Sequence, residues 1–194
     1  HWQTPPVSWL GFAAGAAYSW CLESSRSLDV AAALSRFAFD DPSGNMGKLA
    51  YDLGNAYLAS GTLFSNSNIF FHGLNLPFAA LLDHPKIGSV QIDKTLAAID
   101  AAMTGLEGEQ MARPDAALIR REFQNTARLM RIACKRIQMA QESDPARRSA
   151  LGKEMSADLE GALEEYQELW LARSRPGGLV DSMAYFRHAS EAAG

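Results

Sequence analysis

A short stretch near the start of the sequence combines aromatic rings with a carboxylate. It reads Tyr18-Ser-Trp20-Cys-Leu-Glu23. An indole can stack on the face of a sugar ring, and a nearby carboxylate can accept hydrogen bonds from sugar hydroxyls. The stretch therefore indicates Trp20 and Glu23 as candidate substrate-binding residues for a carbohydrate. The alternative interpretation is a buried tryptophan in the core beside a glutamate on the surface.

Other residues that often carry chemistry form no catalytic or metal-binding motif in this sequence. The histidines occur in no His-x-x-x-His or Glu-x-x-His pattern, so neither a zinc site nor a di-iron site is predicted. They are His1, His72, His84 and His188. Cys21 and Cys134 are far apart in sequence and predict no disulfide framework. No Gly-x-Ser-x-Gly elbow and no glycine-rich phosphate loop occurs, and no cofactor is expected.

The composition limits the classes of partner. Of 194 residues, 47% are hydrophobic and 21% are charged, which suits a globular core. The net charge of −4 argues against a general nucleic-acid binder. No run of about 18 apolar residues occurs, so no membrane partner is expected. Reduced cysteines are compatible with a soluble cytoplasmic protein, and the sequence leaves the compartment open.

Residues 9–20 are small and apolar, and two structures fit them. Gly11 and Gly15 weaken an isolated helix, while small side chains permit close approach of backbones. The segment fits a buried strand end, as in a barrel, or a tightly packed helix. We favour a strand or loop at the end of a larger fold. Because no basic residue precedes the segment, a secretion signal is not expected.

The rest of the chain shows helical periodicity with recognisable helix starts and stops. Asp40 and Asp41 stand directly before Pro42, and we interpret them as capping residues rather than a catalytic acid pair. Gly47 and Gly54 predict a close helix crossing. Helices are expected from about 25 to 39, 45 to 60, 68 to 74, 91 to 106, 114 to 142, 146 to 174 and 179 to 192, with a further short turn over 78 to 82.

Residues 114–174 show the clearest pattern, two long amphipathic helices separated by Ser143-Asp144-Pro145. A short connection makes such helices antiparallel neighbours. One helix is basic and the other acidic, and each exposed pair between them contributes about 0.2–1 kcal/mol. We interpret the basic residues as a solvated face matched to the acidic helix, not as a nucleic-acid surface. They are Arg120, Arg121, Arg128, Arg131, Lys135 and Arg136, opposite Glu154, Asp158, Glu160, Glu164, Glu165 and Glu168.

The acidic helix ends at Arg175-Pro-Gly-Gly178, because Pro176 cannot continue a helix and glycine permits a left-handed backbone. The predicted fold is therefore mainly α, a helical bundle with a long antiparallel hairpin over 114–174. Two domains are expected. Residues 1–24 form the end of a barrel-like domain or an N-terminal apolar segment, and residues 25–194 form a C-terminal α-helical domain.

Several separated segments resemble a known family. They are Gly11-Phe-Ala-Ala-Gly-Ala-Ala-Tyr-Ser-Trp20, Phe37-Ala-Phe-Asp-Asp-Pro-Ser-Gly44, Gly47-Lys-Leu-Ala-Tyr-Asp-Leu-Gly-Asn-Ala-Tyr57 and Leu169-Trp-Leu-Ala-Arg-Ser-Arg-Pro-Gly-Gly-Leu-Val-Asp-Ser182. Together they resemble the C-terminal part of bacterial glycoside hydrolase family 20 proteins, the β-N-acetylhexosaminidases and their relatives. The resemblance covers nearly the whole chain, and none of the segments is a catalytic signature.

The resemblance implies a (β/α)8 barrel in which an adjacent Asp-Glu pair drives substrate-assisted hydrolysis. No Asp-Glu dipeptide occurs in this chain, so no catalytic residue is predicted in it. The family carries a pocket tryptophan at the end of the last barrel strand and a sugar-binding glutamate two residues later. Trp20 matches the tryptophan. Glu23 lies three residues on, which departs from the family spacing.

Two functions are consistent with these observations. The first is the C-terminal helical portion of a glycoside hydrolase that acts on N-acetylhexosamine-containing glycans, inactive alone and partnered by an upstream catalytic barrel. The second is a stand-alone helical interaction or oligomerisation module, with a second copy as partner. A weaker third possibility is a ligand-binding bundle whose pocket is lined by the aromatic segment Phe64–Phe78, although core packing also explains that segment.

Overall fold

The computed structural model describes residues 5–65 and 67–191, and within them the protein is mainly helical, as predicted. No β-strand occurs in this described part, where Phe64 and Ser67 form an isolated bridge. Its α-helices are α1 (Trp9–Trp20), α2 (Leu22–Ser25), α3 (Val30–Ala33), α4 (Asn45–Asn55), α5 (Ile69–Asn75), α6 (Phe78–Leu82), α7 (Ile92–Met103), α8 (Ala116–Gln141), α9 (Pro145–Arg173), α10 (Leu179–Ala184) and α11 (Arg187–Glu191). Shorter turns of 3-10 helix are Pro5–Ser8, Ala56–Ser60, Ile87–Ser89 and Thr104–Glu107, and Leu34–Phe39 is a π-helix. None of the described helices is both long and apolar enough to cross a membrane.

Residues 9–20 form helix α1, so the strand or loop expected there is wrong. Four alanines occupy this segment, and alanine is the strongest helix former. A helix also satisfies its backbone hydrogen bonds internally, whereas a strand needs a partner strand. Two glycines therefore do not prevent α1 from forming.

The chain divides into two compact units, each described here by itself. The first takes the described residues up to Ala56 together with Ala98–Gln124. The second takes Tyr57–Ala97 and the described residues from Asn125 onward. The boundary after residue 24 stays a prediction.

In the first unit, glycines allow helices to approach closely. A Cβ on Gly47 would lie 1.9 Å from the Ala31 carbonyl oxygen of α3, and one on Gly54 would lie 2.6 Å from the side chain of Leu10 on α1. The close crossing predicted from these glycines is confirmed. The Gly47 N–H also donates to Ser35 Oγ at 2.8 Å, so the missing side chain permits a hydrogen bond as well as contact.

Aromatic rings fill the core of the same unit. The ring of Phe39 is fully buried, 5.3 Å from the ring of Trp9 and 5.8 Å from that of Phe123. The guanidinium carbon of Arg113 lies 5.2 Å from the centre of the Trp9 ring, and the same guanidinium donates to the Ala38 carbonyl at 3.0 Å. Burial of this cluster holds α1, the π-helix and the start of α8 together.

Asp41 organises the turn before α4. Its side chain is 2% exposed and accepts hydrogen bonds from the backbone N–H groups of Ser43, Met46 and Gln110 and from the Ser43 hydroxyl. The bond from Met46 satisfies a free N–H in the first turn of α4, so the capping role expected of Asp41 is confirmed. The preceding Asp40 has a left-handed backbone with φ 50°.

In the second unit, α5 lies directly against α8. A Cβ on Gly73 would lie 2.7 Å from the Ala133 carbonyl oxygen, so only glycine fits at this crossing. Arg136 of α8 is fully buried and donates to the carbonyls of Gly73 and Leu76, the latter at 2.9 Å. The interpretation of Arg136 as part of a solvated basic face is therefore wrong. Its guanidinium instead satisfies carbonyls at the end of α5, which a helix leaves without internal partners.

In this unit, residues later in α8 contact residues earlier in α9. Asn125 Nδ2 donates to the Ala162 carbonyl at 3.1 Å, and Lys135 Nζ lies 2.7 Å from Asp158 Oδ2 and 3.6 Å from Glu154 Oε2. The helices run antiparallel over this stretch. Helix α9 ends where the Trp170 indole N–H donates to the Arg175 carbonyl at 3.0 Å, and Gly178 then has a left-handed backbone with φ 84°, as predicted.

Candidate functional site

Trp20 and Glu23 lie on either side of a break between two helices. Trp20 is the last residue of α1 and is 92% exposed. Cys21 has an extended backbone that ends α1, and the exposed Glu23 lies in the first turn of α2. The alternative interpretation of Trp20 as a buried core residue is therefore wrong, and its indole face is open to a ligand.

Ser25 fixes the break between the two helices. It is buried, and its hydroxyl donates to the Ala17 carbonyl in the last turn of α1 at 2.9 Å. Its N–H donates to the Cys21 carbonyl at 3.2 Å. Because these bonds fold α2 back onto the end of α1, Trp20 and Glu23 are presented from a short, held segment rather than from a free loop.

The thiol between the two candidate residues is polarised. Hydrogen bonds from the Ser24 side chain and from the backbone of Ser24 and Glu23 lower the pKa of Cys21, because they favour the thiolate. By contrast, burial raises the pKa of Cys134 to about 12. Both cysteines are free, and Cys21 is the more readily ionised of the two.

A groove of about 500 Å³ lies beside α1 in the first unit. Tyr18 lines it, together with Tyr51 and Asn55 of α4 and with Arg26. Trp20 and Glu23 do not line this groove. Residues distant in sequence build it, and the spacing within the Tyr18–Glu23 stretch carried no signal for Arg26, Tyr51 or Asn55.

The aromatic segment Phe64–Phe78 packs mainly into the core of the second unit. Ile69, Phe70 and Leu74 are buried. Phe64 lies over the ring of His72, with the ring centroids 4.3 Å apart. In the part of the chain that the structure describes, no group of three or more His, Cys, Asp or Glu side chains is placed to hold a metal ion.

In comparisons with known proteins, no family model, no curated protein and no solved structure matches this chain.

Proposed function

We propose that this chain is the C-terminal helical portion of a glycoside hydrolase acting on N-acetylhexosamine-containing glycans. The single observation that carries the proposal is the surface of α1. No residue of this apolar helix is buried, and its Phe12 and Trp20 are 60% and 92% exposed, with Leu22 beyond it 53% exposed. A contiguous apolar surface of this kind marks an interface. Because several segments of the chain resemble family 20, we propose the catalytic barrel as the partner at this interface.

Helix α1 would meet the barrel as a helix and not as its last strand. We assign the apolar surface around Phe12 to the contact with the barrel and leave Trp20, at the end of the helix, open to the carbohydrate. The long α8 and α9 then belong to the hairpin of the helical domain that follows the barrel.

Trp20 and Glu23 are the residues proposed to reach the carbohydrate. The exposed indole supplies a flat apolar face for a sugar ring, and the exposed carboxylate of Glu23 supplies a hydrogen-bond acceptor for a hydroxyl. An indole and a single carboxylate do not make a catalytic acid–base pair. The proposed contribution of this chain is therefore substrate binding, and the chemistry belongs to the Asp-Glu pair of the barrel.

Turnover of a chromogenic N-acetylglucosaminide tests the proposal. The isolated chain should show none, while a longer protein that carries an upstream barrel with an Asp-Glu pair should be active. In that longer protein, Trp20→Ala should raise KM by about tenfold, since loss of one stacking contact is worth roughly 1–1.5 kcal/mol.

Phe37→Ala is the matched control, because Phe37 is also an exposed aromatic residue, at 79%. It should leave KM unchanged. Turnover by the isolated chain would refute the absence of catalysis in it, and a Trp20→Ala enzyme with normal KM would refute the sugar-binding role of Trp20.

The same surface supports one alternative, a stand-alone helical oligomerisation module without enzymatic activity. Gly11 and Gly15 are four residues apart on α1, and a Cβ added to either one would meet no neighbouring group of the described residues within 4 Å. Small residues at this spacing allow a second helix to approach closely. Light scattering separates the alternatives. A stable dimer that Phe12→Asp converts to a monomer favours the module, whereas a chain that aggregates through α1 favours the truncated hydrolase.

A further inference from the structure

An imidazole cluster in the second unit joins three segments of the chain. We use this name for Phe64, Ser67, His72, His84 and Lys86. The ring of His72, on α5, lies 4.3 Å from the ring of Phe64 and 5.3 Å from the ring of His84. Its Nε2 lies 2.6 Å from Ser67 Oγ. The cluster therefore fastens the segment that carries Phe64 and Ser67 onto α5.

The surroundings of His72 suit a neutral ring. Its Nδ1 is buried and has no hydrogen-bond partner among the described residues, whereas Nε2 faces the Ser67 hydroxyl. A neutral imidazole with its proton on Nε2 can donate to Ser67 and leave Nδ1 bare. Protonation adds a second N–H at Nδ1, where the described residues supply no acceptor. A buried donor without an acceptor is costly.

The charged neighbours of His72 act in the same direction. Lys86 lies on the loop that also carries His84; its ammonium group is 5.6 Å from the centre of the Phe64 ring and donates to the Leu63 carbonyl at 2.7 Å. The elements packed on α5 also carry Arg136 on α8 and Arg187 and His188 on α11, but the charges that act on His72 are those of His84 and Lys86. Asp83, at the end of α6, is exposed to solvent, as is Lys86. A positive charge on His72 would therefore be repelled by His84 and Lys86.

We propose that His72 is a pH-sensitive latch, which holds the segment carrying Phe64 and Ser67 on α5 while the ring is neutral and releases that segment when the ring is protonated. The release separates the Phe64 ring from the imidazole and breaks the contact between Ser67 Oγ and His72 Nε2. It also removes the anchor for Lys86, because the carbonyl to which Lys86 donates belongs to Leu63 in the same segment.

The direction of the pH dependence follows from the preference for the neutral ring. Burial first, and then the charges of His84 and Lys86, lower the pKa of His72 below its ordinary 6.5. The opened segment lets the ring take up a proton at the ordinary value, so opening binds protons. The latch is therefore fully closed above about pH 6.5 and weakens as the pH falls from there towards the lower pKa of the closed state.

Hydrogen exchange of the intact chain tests the latch. After correction for intrinsic exchange, amides of the peptide containing Phe64 and Ser67 should exchange faster at pH 5 than at pH 7.5, by more than the scatter of repeat measurements, because opening takes up a proton. Amides in the middle of α9 should show no such change. Equal exchange of the Phe64 peptide at both pH values would overturn the proposal.

Two variants keep the test decisive if one of them is poorly folded. In His72→Gln, exchange of the Phe64 peptide should no longer depend on pH. His84→Gln removes one of the charges that lower the pKa of His72 in the closed state, so it should reduce the difference in exchange between pH 5 and pH 7.5. His188→Gln is the control, since it removes an imidazole outside the cluster and should preserve the wild-type response. An NMR titration of the wild-type His72 ring adds a reading that needs no variant, and a midpoint at or above 6.5 would refute the latch.

Discussion

Asp41 in the first unit and Arg136 in the second are buried charges that perform related tasks at opposite helix ends. Asp41 is 2% exposed and accepts the Met46 N–H at the start of α4. Arg136 is fully buried and donates to the Gly73 and Leu76 carbonyls at the end of α5. A carboxylate suits the positive helix start and a guanidinium suits the negative helix end. Each charge is held by backbone groups, so removing either side chain should leave those groups unsatisfied.

Asp41 also accepts the distant Gln110 N–H, but the bonds by which the two residues cap helices span different distances along the chain. Asp41 caps a helix five residues later, and the capping bond is therefore local. Arg136 reaches a carbonyl 63 residues away, so its site exists only after α5 and α8 have packed. The comparison shows that similar local chemistry can come from the neighbouring sequence or from the tertiary fold.

The largest expected effect is that of Arg136→Met. The substitution keeps an apolar stem but removes charged donors from two buried carbonyls, and we expect the free energy of unfolding to fall by about 3 kcal/mol. Urea unfolding measures it. Arg136→Lys should lie between the two proteins, because one ammonium cannot reproduce the fork of the guanidinium. A loss below about 1 kcal/mol in Arg136→Met would show that water replaces the guanidinium.

Asp41→Ala should cost less, about 2 kcal/mol. It removes the acceptor for the cap and for the Gln110 N–H, but Pro42 and Ser43 beside it are exposed, so water can reach some of the freed groups. The same unfolding measurement applies. Asp41→Asn retains one acceptor oxygen and should be milder than Asp41→Ala. If Asp41→Ala lost more free energy of unfolding than Arg136→Met, the prediction that the Arg136 site contributes more to stability would be wrong.

A pH series should separate the two charges further, with an effect smaller than either substitution. Burial alone would raise the pKa of Asp41, but the hydrogen bonds from Met46, Ser43 and Gln110 outweigh it and hold the pKa below its usual 3.8. Stability from ionised Asp41 is therefore present above about 3.8 and is lost as the pH falls through the lower folded-state pKa. Arg136 stays charged throughout and adds no such step. Acid unfolding of wild type against Asp41→Asn measures the difference, and parallel curves would contradict it.

The smallest effect is expected for an ion pair near the surface. Lys135 and Asp158 join α8 to α9 at 2.7 Å, with 25% and 45% of their side chains exposed. Lys135→Met should change the free energy of unfolding by about 0.2–1 kcal/mol, and the change should shrink in salt. Lys94→Met, at an exposed position on α7, is the control and should have no effect. A loss comparable to that of Arg136→Met would mean that burial does not distinguish these charges.

Local sequence signals predicted several features of the fold. Asp41 before Pro42 marks a helix start, and the break predicted at Ser143-Asp144-Pro145 falls between α8 and α9, where Asp144 accepts the Ala146 N–H at 2.9 Å. The helix expected from about residue 68 forms as α5, which Asn68 caps through the Phe70 and Phe71 N–H groups. Gly178 marks the left-handed turn after α9. These signals are readable because the side chain and the backbone group that it satisfies lie within a turn of each other.

The candidate site was only partly readable in the same way. Trp20 and Glu23 were proposed because an indole and a carboxylate are recognisable residue types near each other in sequence, and their role stays a prediction. Their exposure, the polarised thiol of Cys21 and the groove containing Tyr51 depend on how α1, α2 and α4 fold back on each other. The imidazole cluster was missed because His72 and His84 belong to different elements and match no metal-binding spacing.

Periodicity and capping act over a few residues, so the sequence alone predicted that the chain is mainly helical and where most helices begin and end. It did not predict the form of residues 9–20, because small apolar residues suit either a packed helix or a buried strand, and the structure shows a helix there. It also decided which basic residue of α8 is buried. Lys135 and Arg136 are neighbours of similar charge, but one faces Asp158 near the solvent and the other faces the end of α5. Packing partners distant in the sequence, not residue type, make that choice.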